Sequence, residues 1–142
     1  MFKWFSSIGL NEQEFRENIY MSAVCRCYPG KNASGSGDRV PSQIEIKKCS
    51  KWLEYEINTL RPKLIIPVGK LAISQFIIFN KLNDVVGNKI IYKKDNQKIN
   101  IVALPHPSGL STWYKKEPGK SLLLEALKII KNHNEWKLIL KK

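Results

Sequence analysis

Apolar residues recur along this chain at two spacings, one helical and one strand-like. Phe2, Trp4, Phe5 and Ile8 fall at roughly helical intervals and Gly9 follows them. Residues 2–8 therefore read as the end of a helix closed by a glycine. Asn11 is placed to cap a short second helix through Glu17, with Glu12 and Glu14 favourable in its first turn. Ile19 to Val24 reads as a short strand. Ser42-Gln43-Ile44-Glu45 is a capping box that opens a helix to about Leu60, with Cys49, Trp52, Leu53, Ile57 and Leu60 as its apolar stripe and Pro62 as its end. Lys63 to Val68 is a β-rich run of buried-strand character. Gly69 makes a turn, and Lys70 to Phe79 reads as a helix. Ile90–Tyr92 and Ile99–Leu104 read as strands around the turn Lys94-Asp95-Asn96-Gln97. Pro105 to Lys116 is a loop, and Pro118 suits the first turn of a helix to about His133. Glu135 to Leu140 fits either a last strand or a docked segment.

Strands alternating with helices predict an α/β layered fold with a mostly parallel central sheet. Ligands of such sheets bind beyond the carboxyl ends of the strands. Three predicted loops leave those ends: Cys25–Pro41, Gly69–Leu71 and Pro105–Lys116. The loop 28–41, YPGKNASGSGDRVP, holds three glycines and two prolines but is too short for a domain linker. The whole chain, 1–142, is expected to form one domain.

Composition narrows the partners. At 142 residues and 43% apolar, the chain suffices for one compact core. No run approaches the ~20 apolar residues of a membrane span. MFKWFSSIGLNEQEF lacks a small-residue cleavage site, which reads as cytoplasmic rather than secreted. Twenty-four basic residues against 12 acidic ones give +12, favouring a polyanionic partner such as DNA, RNA or an anionic membrane surface. The abundance of Ile, Asn and Lys leaves biased codon usage as the bland reading of that charge. Cys25, Cys27 and Cys49 are an odd count without a leader, which argues against a disulfide framework and leaves buried thiols or metal ligands. No Gly-rich phosphate loop of P-loop or dinucleotide type occurs, which weakens a reading as a small nucleotide- or RNA-binding module.

The sharpest local signal is Ala103-Leu104-Pro105-His106-Pro107-Ser108-Gly109-Leu110-Ser111. His106 stands between two prolines just after a predicted strand; alone, it reads as a turn histidine. The segment resembles the His-Pro-Ser motif of uracil-DNA glycosylases. Tyr20 to Pro29 resembles the strand and loop of the iron–sulfur (family 4/5-like) members of that superfamily, with Cys27 at the position of a cysteine and a proline-rich loop after it. Asp38-Arg39-Val40-Pro41 is similar to the next loop element. Cys49 falls on the following helix, as in the family. Arg61 to Ala72 resembles the central strand, tight turn and helix start. These elements lie in family order and cover residues 20 to 112.

The resemblance implies a three-layer α/β/α fold and a monomeric enzyme that binds uracil-containing DNA, flips uracil out and hydrolyses its N-glycosidic bond. It assigns His106 as the catalytic donor to a pyrimidine carbonyl oxygen. It assigns Leu110 as a wedge into the base stack, and Ser108, Gly109 and Ser111 as DNA contacts. Arg39 and Lys70, with Lys115 and Lys116, are further candidate phosphate contacts. An asparagine that reads the uracil edge in the family is replaced here by Ala23, with Ser22 beside it. Cys27 and Cys49 match two of the four cysteines that hold a 4Fe–4S cluster in iron–sulfur members, an incomplete set; Cys25 reads as a buried thiol. The family's first motif, a Gly-Glu-x-Pro-Gly-like loop that handles the attacking water and stacks on uracil, is expected upstream of Met1. The chain thus resembles an N-terminally truncated member, and a non-catalytic DNA-binding member is the alternative implied.

Overall fold

The computed structural model describes residues 1–35, 37–108 and 111–141. The chain divides into two compact units: residues 1–20 with 62–142, and residues 21–61.

In the first unit, helix α1 (Phe2–Ser6) ends in a turn at Gly9 and α2 (Glu12–Asn18) begins at Asn11. The cap is the predicted one: Glu14 N donates to Asn11 Oδ1 at 3.0 Å, and Asn11 N to the Glu14 carboxylate at 2.9 Å. Phe5 stacks on Phe15 with ring centroids 4.5 Å apart. The chain's other end closes the same cluster. Residues 134–139 form a helix, α6 (Asn134–Ile139), not a strand. Its Trp136 is 1% exposed, lies 5.6 Å from the Phe5 ring, and donates its indole N–H to the Ile8 carbonyl at 3.1 Å. The tail is a docked segment because this aromatic has an apolar wall and an acceptor waiting.

The sheet is small and mixed. Strands β1 (Leu64–Ile65), β2 (Lys89–Lys94) and β3 (Gln97–Val102) lie in the order β1-β3-β2. β1 runs parallel to β3, with Leu64 opposite Asn100. β2 runs antiparallel to β3, from Lys89 opposite Val102 to Lys94 opposite Gln97. Asp95 and Asn96 make the hairpin turn, both at positive φ (44° and 62°). The expectation of a mostly parallel sheet is corrected here, among the described residues. The longest ladder is antiparallel, because two strands joined by so short a turn have no room for a crossover. Isolated parallel bridges, Val68 with Leu104 and Val86 with Ala103, extend the central strand. Ile99, Ile101, Val102, Ala103 and Leu104 along it are almost wholly buried.

Three other expectations are revised. Residues 19–24 form no strand: Ile19 ends α2, and residues 20–23 are exposed and belong to no helix or strand. β1 stops at Ile65, two residues before Pro67, which has no N–H to give the ladder. Helix α4 is four residues, Lys70–Ile73, rather than reaching Phe79. Ser74 Oγ and Gln75 Nε2 both donate to the Leu71 carbonyl, at 2.9 and 3.0 Å, competing with the backbone bonds that would prolong it.

Helix α5 (Gly119–Asn132) follows Pro118 and buries Leu123, Ala126, Leu127 and Ile130, one helical face, in the core. His133 joins it to α6, accepting Glu135 N at Nδ1 (3.2 Å) as the α6 cap. Asn100 Nδ2 lies 2.8 Å from His133 Nε2.

The second unit is built on α3 (Gln43–Leu60). Its capping box is present, with Ser42 N donating to Glu45 at 2.7 Å, and Arg61 ends it in a left-handed turn (φ 46°) before Pro62. The buried stripe is Ile46, Cys49 and Ile57; Trp52 and Leu60, expected within it, are each 51% exposed. In the preceding loop, Lys31 bridges Asp38 antiparallel and Arg39 N donates to the Gly30 carbonyl at 3.0 Å, so Gly30 and Lys31 lie alongside Asp38 and Arg39.

Among the described residues, no helix is long and apolar enough to cross a membrane.

Candidate functional site

Because β1 and β3 run parallel, both carboxyl ends emerge at one edge of the sheet. The ladder is carried to that edge by two hydrogen bonds, Leu104 N to the Pro67 carbonyl at 3.0 Å and Gly69 N to the Leu104 carbonyl at 2.9 Å. Gly69 and His106 are thereby set side by side. Gly69 has φ 86°, and a Cβ there would stand 3.1 Å from His106 Cδ2 and 3.4 Å from His106 Cβ. Only glycine admits both that backbone angle and that approach. Pro105 is fully buried while His106 is exposed, so the imidazole emerges from a rigid base.

One ring nitrogen is already used. Ser108 N donates to His106 Nδ1 at 3.2 Å. In the neutral ring this leaves Nε2 as the N–H donor. Ser111 N donates to the Ser108 carbonyl at 3.1 Å. Gly109 and Leu110, the expected DNA contact and wedge, lie outside the described residues. Further along, the chain is anchored again. Trp113 Nε1 donates to Asn83 Oδ1 at 3.0 Å, and Tyr114 packs edge-on against Trp4 at 5.1 Å. Lys70, directly after Gly69, is exposed, as are Lys115 and Lys116.

In the unit formed by residues 21–61, the candidate residues are held by carboxylates. Arg39 forks onto Glu45 with contacts of 2.8 and 2.6 Å. The guanidinium, with the Ser42 backbone and hydroxyl, holds the Glu45 carboxyl far below the usual carboxylate range, and Glu45 in turn raises Arg39. Arg39 thus ties the loop to the start of α3. Ser22 donates its hydroxyl to Glu56 at 2.5 Å, and Arg26 pairs with the same carboxylate. Ala23 is exposed and brings no polar side-chain group.

The thiols fall differently from the expectation. Cys25, expected to be buried, is half-buried, and its sulfur is 3.3 Å from that of buried Cys49. Cys27 is exposed. Backbone N–H groups of Arg26 and Cys27 point at the Cys49 sulfur and, with Cys25, draw its pKa down. Burial and the bond to Cys49 push the Cys25 thiol up to about 11. Cys25 therefore donates and Cys49 accepts. Among the described residues, no group of three or more His, Cys, Asp or Glu is arranged to hold a metal ion. Three thiols, two of them engaged with each other, do not fit the four-thiolate set of a 4Fe–4S cluster.

The structure brings Gly69, His106 and Ser108 together, and separately Arg39 with Glu45, Ser22 with Glu56, and Cys25 with Cys49. The partners Gly69, Glu56 and Cys25 were not legible as such in the sequence. Glu45 alone carried a signal, through the capping box it completes.

The sequence profile of the family described as the uracil DNA glycosylase superfamily matches residues 1–130. The type-4 uracil-DNA glycosylase of Archaeoglobus fulgidus is 29% identical over 111 residues, 74% of this chain and 50% of that protein. The type-5 uracil-DNA glycosylase of Pyrobaculum aerophilum is 32% identical over 54 residues, 38% of this chain and 21% of that protein. A likeness of another kind, to the small ribosomal subunit protein uS3 of Clostridium botulinum, is 30% over 107 residues, 75% of this chain and 41% of that protein. The chain spans half the length or less of these curated relatives.

Proposed function

The chain belongs to the uracil DNA glycosylase superfamily, and on that premise we propose that it acts in DNA repair, turning uracil out of DNA and hydrolysing its N-glycosidic bond. One observation carries the reading. The bond from Ser108 N to His106 Nδ1 leaves an N–H donor on an exposed ring at the carboxyl edge of the sheet.

Breaking the bond between a pyrimidine and its sugar leaves negative charge on the base. A fixed donor at the base's carbonyl oxygen stabilises that charge, and losing one such donor typically costs ~10²–10³ in rate. His106 Nε2 is the donor in this reading. Lys70, Ser108 and Ser111 hold phosphates nearby in the sequence of contacts, and Leu110 fills the gap left by the flipped base, an event that costs roughly a few kcal/mol. The net charge of +12 supports a polyanionic partner. The three-layer arrangement and monomeric state of the resemblance belong to the same reading.

The test is incubation with a uracil-containing oligonucleotide, scored for abasic sites by alkaline strand cleavage. Wild type is expected to cleave, and His106→Ala to lose ~10²–10³ in rate. Equal cleavage by the two proteins would overturn the role of His106. An RNA oligonucleotide of equal length, suggested by the ribosomal likeness, serves as competitor.

A second reading, a DNA-binding member without catalysis, is favoured by one local fact. Ala23 has no group for a base edge, and the Ser22 hydroxyl proton is committed to Glu56. Retained binding with no abasic product would select it.

A further inference from the structure

The unit formed by residues 21–61 carries chemistry that the proposed reaction does not use. The sulfurs of Cys25 and Cys49 are 3.3 Å apart, in contact but unbonded. They belong to very different backbone. Cys49 lies in the middle of an 18-residue helix whose hydrogen bonds fix it. Cys25 lies in a segment, 21–30, with no helix or strand. Closing the pair to the ~2.05 Å of a disulfide needs about 1.2 Å of movement. The irregular segment can supply it without breaking a ladder or a helical turn. Cys25 is half-buried and so reachable by a small reagent, while Cys49 is buried behind it.

We propose that Cys25 and Cys49 are a site of reversible oxidation, closing to an intrachain disulfide that staples the loop ahead of α3 to that helix. The co-reactant is a low-molecular-weight disulfide such as oxidised glutathione. Cys25, its proton passing to the Cys49 sulfur to which it donates, attacks one sulfur of it, forming a mixed disulfide and expelling one glutathione thiolate, which then takes that proton from Cys49. Cys49 as thiolate then attacks the Cys25 sulfur and expels the second glutathione. The two thiol protons pass to the two departing thiolates. Two protein thiols are oxidised, and one glutathione disulfide is reduced to two thiols. The bond closes a loop spanning Tyr28 to Pro41, the most glycine-rich part of the chain, so it constrains the segment with most freedom to lose. Exposed Cys27 stays out of the pair.

Closure of the Cys25–Cys49 pair does not depend on uracil cleavage, and its readout is chemical. The chain is equilibrated in glutathione buffers from fully reduced to fully oxidised, quenched by alkylation, and mapped by peptide mass. Oxidation is expected to remove two of the three alkylatable thiols, to leave Cys27 alkylated, and to yield a linked peptide pair containing Cys25 and Cys49. The thermal midpoint is expected to rise with oxidation and fall back with a dithiol reductant. Cys27→Ser should keep the linkage; Cys25→Ser and Cys49→Ser should each abolish it. Three free thiols across the whole series, or a linkage through Cys27 or between two chains, would overturn the proposal. Since Cys27→Ser alters only an exposed side chain, its result stands even where Cys49→Ser fails to fold.

Discussion

Gly69 and His106 share one space: the imidazole rests where a side chain on residue 69 would be, 3.1 Å from the position of its Cβ. The glycine also holds φ 86°, a backbone angle that L side chains rarely adopt. Gly69→Ala is therefore expected to act on the histidine without touching it chemically. Strain of about 1–3 kcal/mol should appear as a lower denaturant midpoint, and the His106 ring resonances should move. Uracil release should fall more than the stability loss alone explains. Unchanged ring resonances in a folded Gly69→Ala protein would contradict this contact.

Lys70 follows that glycine into solvent, whereas Arg39 is forked onto Glu45. The two cations should therefore differ in DNA binding. Lys70→Ala is expected to lower the slope of log affinity against log salt by about 0.9, one phosphate contact. Arg39→Ala should leave that slope unchanged while lowering stability. Fluorescence anisotropy over a salt series reads the first, and chemical denaturation the second.

Glu45 sets an acid limit. Arg39 and Ser42 hold its carboxyl below the ordinary value of 4.5 in the folded chain. The folded state therefore binds this proton less readily than the unfolded one. Its contribution is complete above the unfolded value and is lost as pH falls through the folded one. Glu45→Gln should flatten the acid side of a plot of thermal midpoint against pH. A parallel acid limb in the variant would assign that limb to other carboxylates.

His133 works in the same direction at higher pH. Burial lowers its pKa below 6.5; Glu135 opposes the shift and Lys89 adds to it. The neutral ring caps α6 by accepting Glu135 N, which an imidazolium cannot do. Stability from this group is complete above 6.5 and is lost as pH falls through the lower folded value. The melting temperature is expected to drop between about pH 7 and about pH 5. His133→Asn, which keeps a capping oxygen, should show a shallower drop.

The sequence by itself determined the local elements whose partners lie within a few residues. The cap at Asn11, the box at Ser42–Glu45, the turn at Asp95–Asn96, and the stops at Gly9 and Pro62 are where the residue pattern puts them. Family membership was legible too, since it rests on an ordered set of short motifs. Periodicity failed where something distant or competing decided. It made a strand of 19–24, which is no strand in the fold, and a long helix from Lys70, which Ser74 and Gln75 cut short. It left Glu135–Leu140 open until Trp136 met Phe5 and the Ile8 carbonyl at the far end of the chain. His106 could be picked out as a residue, but not the glycine beside it or the nitrogen that remains to donate. Those were decided by the parallel register of β1 and β3, which puts two loops distant in sequence at one edge of the sheet. Local codes are read within a helical turn; a register depends on which strand finds which, and only the folded chain fixes that.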